Sequence, residues 1–120
     1  MLRLTSKKDY NKLRQSHNKI IGRFFIVVFL PEEDIKESAA GITVSKKIGN
    51  AVVRNKVKRR IRAFLRFYTL RPSTPGFICN IIALPSVVST DWISFKKDLQ
   101  YCLDKLANTL CAYSTTFQSI

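Results

Sequence analysis

With 120 residues the chain has room for one domain around one core, and 46% hydrophobic with 11% aromatic content excludes a disordered polymer. A balance of 21 Lys and Arg against 8 Asp and Glu leaves a net charge of +13 and a pI near 10.1. Such a chain repels itself and suits a polyanionic partner: DNA, RNA or an anionic membrane surface. Cys79, Cys102 and Cys111 are odd in number and lack C-x-x-C spacing, which argues against a disulfide scaffold or a structural zinc site. The expectation is reduced thiols in a cytoplasmic protein without a signal peptide.

Ser6 with Asp9 three residues on resembles a capping box, and predicts a short helix over residues 7–16 with Tyr10 and Leu13 on one side. Residues 23–30 are almost continuously apolar and read as a central strand covered on both faces. The run over residues 24–30 is far too short to span a bilayer. Residues 31–40 carry Glu32, Glu33, Asp34 and Glu37 and read as an exposed connection. Clustered acids can hold Mg²⁺, but solvation of a loop accounts for them as well. Residues 41–47 alternate, Ile42 and Val44 against Thr43 and Ser45, as a half-buried strand does. This strand is expected to pair with residues 23–30 as a hairpin.

Gly49-Asn50 marks a turn before a long basic helix, which ends in the Pro72 and Pro75 region. Residues 77–84 form another strand, and Thr90 is the expected N-cap of a last helix. Trp92, Phe95, Leu99, Cys102, Leu103, Leu106 and Leu110 give that helix a wide apolar face. A polar tail from about Ser114 is expected to fray. The whole of residues 1–120 is thus a single α+β sandwich, helices against a small sheet.

The basic helix has two unlike sides. Val57, Ile61, Phe64, Leu65 and Tyr68 recur at helical spacing, while Asn55, Arg59, Arg62 and Arg66 fall opposite. One face can enter a core while the other, nearly all hydrogen-bond donors, meets a polyphosphate backbone. No catalytic set accompanies it. His17, the single histidine, lies among polar residues, and there is no Gly-rich phosphate loop, zinc-finger spacing or RRM-type aromatic strand.

The segment SKKIGNAVVRNKVKRRIR, from Ser45 to Arg62, resembles the signature of the protein subunit of bacterial ribonuclease P. Ser45, Lys46, Lys47, Gly49, Ala51, Val52, Arg54, Asn55, Lys56, Lys58, Arg59 and Arg62 match its fixed positions, with Arg3-Leu4 and Asp9-Tyr10 agreeing near the start. The resemblance implies an αβββαβα sandwich with a left-handed βαβ crossover, the arrangement of the second domain of ribosomal protein S5. It also implies that a catalytic RNA subunit, with Mg²⁺ held mainly by that RNA and none by the protein alone, removes the 5′ leader of precursor tRNA. The expected partners are that RNA and precursor tRNA, with no membrane and no stable protein partner.

By the same resemblance, Lys46, Lys47, Arg54, Asn55, Lys58, Arg59, Arg62 and Arg66 contact the catalytic RNA. Arginines suit this because a guanidinium gives a forked pair of hydrogen bonds to phosphate. Lys46 and Lys47, read as strand neighbours, would point to opposite faces. Tyr10, Arg14, Phe25 and Val28 fall where the family holds the single-stranded leader between the first helix and the sheet. Tyr10 can stack on an unpaired base or simply anchor helix to sheet, and Phe25 equally suits the core. Arg14 and Val28 stand where the family commonly has aromatics, and His17 replaces a common glycine. The competing readings are a non-catalytic basic RNA-binding protein of ribosomal or nucleoid type, and a metal-dependent nuclease built on Asp9 or the acidic connection.

Overall fold

A computed structural model describes residues 1–32 and 34–118, with side chains through residue 112. Glu33, and the side chains of the tail expected from Ser114, lie outside the described residues. In chain order the elements are β1 (Leu2–Arg3), α1 (Lys7–Arg14), β2 (Lys19–Ile21), β3 (Phe25–Pro31), β4 (Ala39–Thr43), α2 (Ala51–Phe67), β5 (Phe77–Ala83) and α3 (Trp92–Gln118). Short 3-10 turns at Lys46–Ile48 and Pro85–Ser89 flank α2 and α3. The result is an α+β single domain, as expected; β2 completes the αβββαβα order that the resemblance implies, and β1 is one strand beyond it. β1 and β2 have two and three residues, too few to show a period.

The sheet order is β1-β4-β5-β3-β2. β5 lies in the middle, antiparallel to β3 and parallel to β4, with Val28 opposite Asn80 and Ala40 opposite Cys79. The hairpin expected between residues 23–30 and 41–47 therefore does not form. The connection between those strands carries the chain past a gap that β5 later fills, and β3 turns tightly back on β2 instead. β4, α2 and β5 make a parallel crossover unit.

Because side chains alternate along a strand, each strand divides its residues between two layers. Phe25, Val27 and Phe29 of β3, with Phe77, Cys79 and Ile81 of β5, face α2 and α3 and join Val57, Ile61, Phe95, Leu99, Leu103 and Leu106 in the main core. Ile26, Val28 and Leu30, with Ile78 and Ile82, face α1 and join Leu4 and Leu13. The predicted stripe of α2 is confirmed: Val57 and Ile61 are buried, and Phe64, Leu65 and Tyr68 pack beside them.

Caps fix where the helices begin. The Ser6 hydroxyl accepts from the Asp9 N–H at 3.4 Å, and the Asn50 side-chain oxygen accepts from the Val53 N–H at 3.0 Å. For α3 the cap is Asp91 rather than the expected Thr90; its carboxylate accepts from the Ser94 N–H at 3.1 Å. Hydrogen bonding to the Ser94 side chain, and then to its N–H, holds the Asp91 carboxyl below its ordinary range. Buried Asp98 of α3 accepts from the Arg23 and Phe24 N–H groups at 2.9 and 2.8 Å and so closes the β2–β3 turn. A Cβ on Gly22 in that turn would stand 2.7 Å from Asp98 Oδ2 and from Cys102 Sγ, which leaves room only for glycine.

Candidate nucleic-acid interface

With one side of α2 taken by the core, Asn55, Arg59, Arg62 and Arg66 are left exposed along the other. Among the described residues the ion pairs are Met1 with Glu37 and Lys12 with Glu32, so none of these arginines is neutralised by a carboxylate. Lys58 and Arg54 are half-buried. Arg54 Nε is enclosed with no hydrogen-bond partner among the described residues, a cost a buried donor seldom carries. Lys46 and Lys47 do not alternate on a strand. The strand stops at Thr43, and both lysines are exposed on the 3-10 turn that buries Ile48.

The proposed leader-cleft residues separate. Phe25 has the wrong parity for a surface beside α1. It is fully buried on the α3 side and meets Phe95 edge-on at 4.9 Å, so it is a core residue and not a cleft residue. Val28 has the right parity but is covered, packed with Leu4, Leu13 and Ile78 beneath α1. Arg14 is exposed on α1, one turn from Tyr10. Tyr10 is half-buried, and its hydroxyl donates to the Leu4 carbonyl at 3.3 Å. Its ring occupies the space above Gly41, where a Cβ would come within 2.7 Å of Cζ. Tyr10 is thereby both an anchor and a surface group.

Tyr10 also lines a cavity of about 690 Å³ at the β1 edge of the sheet, which Leu4, Gly41, Arg62, Leu65 and Arg66 share. The edge of the sheet is narrow there, so α1 on one face and α2 on the other contribute to one groove. An aromatic ring and two free guanidiniums in one groove can stack a base and hold its phosphates. Tyr68 also lines the groove. Its hydroxyl donates to Asp104 Oδ1 at 2.8 Å, and burial followed by that carboxylate raises its pKa.

Asn80 is a residue that pattern reading passed over. It interrupts the apolar strand β5 on the α1 side and accepts from the Thr43 hydroxyl at 3.0 Å, placing two half-buried polar groups on the sheet surface beside α1. Its signal was a lone amide inside an otherwise apolar strand.

The family model described as Ribonuclease P matches residues 1–107. The ribonuclease P protein component of Carboxydothermus hydrogenoformans is 42% identical over 108 residues, 89% of this chain and 92% of that protein. That of Streptococcus agalactiae serotype Ia is 35% identical over 101 residues, 84% of this chain and 90% of that protein. The fold is similar to that of the Staphylococcus aureus RNase P protein, with TM-score 0.77 and 26% identity over 92% of this chain and 98% of that one. The Thermotoga maritima RNase P protein shares the fold at TM-score 0.71 and 23% identity, over 93% of this chain and 97% of that one. Signature, architecture and relatives agree: the chain belongs to the ribonuclease P protein family.

Proposed function

We propose that α2 docks on a catalytic RNA while the groove between α1 and α2 holds the 5′ leader of precursor tRNA, and that the RNA subunit carries the hydrolysis. The observation that carries this reading is the shared groove, which Tyr10, Arg62 and Arg66 line together. Mg²⁺, bound by the RNA, would activate the attacking water and stabilise the leaving oxygen. Among the described residues no three His, Cys, Asp or Glu side chains gather to hold a metal. Glu32 and Glu37 of the acidic connection pair with Lys12 and the Met1 amine, which gives the protein-borne nuclease no support.

The protein's part is then electrostatic and geometric. Its cations offset phosphate repulsion between the two RNAs, and the groove aligns the leader so that the scissile bond meets the RNA site. The cytoplasm, where precursor tRNA is made in bacteria, is the compartment this role requires. No described helix is long and apolar enough to cross a membrane.

Reconstitution with ribonuclease P RNA and precursor tRNA tests the reading. Leader removal should need the RNA and Mg²⁺, and cleavage by the protein alone would refute it. Arg62→Ala should weaken RNA binding across sequences and reduce the salt slope by about one counterion. Tyr10→Ala should cost about 1–3 kcal/mol in binding leader-bearing substrate only. Equal losses on leaderless RNA would remove Tyr10 from the leader site.

A further inference from the structure

Trp92 opens α3 and was expected on its apolar face, yet it is 36% exposed. One side of its ring leans on Phe95, with centroids 5.3 Å apart and planes tilted by 38°. Two cations from different helices converge on it. Lys96 Nζ stands 5.3 Å from the indole ring centroid and Arg60 Cζ stands 6.0 Å from it. Lys96 is one turn along the same helix and would be near in any case. Arg60 is not: it reaches across from α2. Positions 60 and 62 are about 200° apart around a helix, so Arg60 and the groove residue Arg62 occupy opposite flanks of α2.

Neither Arg60 nor Lys96 forms an ion pair among the described residues. The adjacent carboxylate, Asp91, accepts from the Ser94 N–H. Two like charges drawn to one indole ring repel each other, and an anion bound beside both relieves that repulsion. Covering Phe95 accounts for the indole but not for the second cation. An aromatic surface with flanking cations is the composition that binds an unpaired nucleotide: the base stacks and the phosphate is held. The site also continues the exposed cationic surface of Lys56 and Arg59, so a strand crossing α2 would meet it.

We propose that Trp92, Arg60 and Lys96 form a second RNA contact on the far flank of α2, where one unpaired base stacks on the indole and its phosphate lies between the two cations. The proposal rests on the reading of α2 as an RNA-docking helix. It divides α2 into a groove side for one strand and an indole side for another.

Trp92 is the single tryptophan, so its emission reports on this site alone. The intact protein is titrated with oligouridylate and with an RNA duplex, following labelled-RNA anisotropy and Trp92 emission in parallel. The single strand should quench Trp92 and shield it from iodide, and the duplex should do neither. Trp92→Leu should weaken single-strand binding by about tenfold with little effect on the duplex. Arg60→Gln, which keeps the indole, should reduce iodide shielding and single-strand affinity together. Single-strand binding by anisotropy with unchanged Trp92 emission and unchanged affinity of both variants would overturn the proposal and leave the α2 reading intact. Absence of binding to either RNA would overturn both. Equal weakening of single strand and duplex by Trp92→Leu, in a variant that keeps its circular dichroism, would reduce the site to a structural one.

Discussion

The two faces of the sheet are built to different standards. Among the described residues, the face under α2 and α3 gathers twenty buried apolar residues, whereas the face under α1 gathers four: Leu4, Leu13, Val28 and Ile78. The first face supplies the stability. The second is a thin cover, held by one eight-residue helix and by Tyr10 seated on Gly41, and it leaves Asn80, Thr43 and Tyr10 within reach of a ligand. A binding surface can be kept partly open only where the core does not depend on closing it.

The contrast can be broken by mutation. Phe95→Ala should cost about 3–5 kcal/mol of unfolding free energy by urea titration, because Phe95 is fully enclosed and loses its edge-on partner Phe25. Leu13→Ala should cost less, about 2–3 kcal/mol, since a short surface helix can settle into the space. In that variant the α1 amides should exchange faster than those of β5. Equal costs for the two substitutions would show that both faces bear the fold alike. Asp98→Ala should cost about 1–3 kcal/mol by stranding the Arg23 and Phe24 N–H groups, an effect confined to the α3 side.

A further effect sharpens the contrast through pH. Burial pushes the Cys79 thiol up to about 12 from 9.0, and burial followed by the Asp98 charge raises Cys102 to about 12 from the same value. Above pH 9 the unfolded chain releases these protons while the folded chain keeps them. Stability present below pH 9 should therefore decline as pH rises through 9 to 12. Both thiols lie in the larger core. Cys79→Ala should flatten the alkaline decline in thermal melts, and an unchanged slope would show that other groups govern it.

What was legible in the sequence follows the range of the forces involved. The α2 stripe and the Ser6 cap could be read because helical periodicity and capping are local, whereas Asn50, read only as part of a turn, caps α2. The strand partners could not, since β5 enters between β3 and β4 from residues far along the chain. Phe25 shows a related limit: in a wholly apolar strand, alternation does not reveal which parity faces which layer. Lys46 and Lys47 were misread because the strand gives way to a 3-10 turn within a continuous alternating pattern. The Arg60–Trp92 approach joins two elements and leaves no local trace.

The central position of β5 also bears on the order of synthesis. The strand that joins β3 to β4 is made after both, and after the cationic helix that follows β4. Until residue 83 is available the sheet remains two unjoined parts, and the apolar stripe of α2 has no complete floor. Folding must therefore wait for contacts of long sequence separation, which slows it. In that interval the repulsion among the cations of α2 is uncompensated by a packed core. A nearby polyanion would lessen that repulsion, so the RNA contact proposed for α2 would also favour the folded chain over the unfolded one.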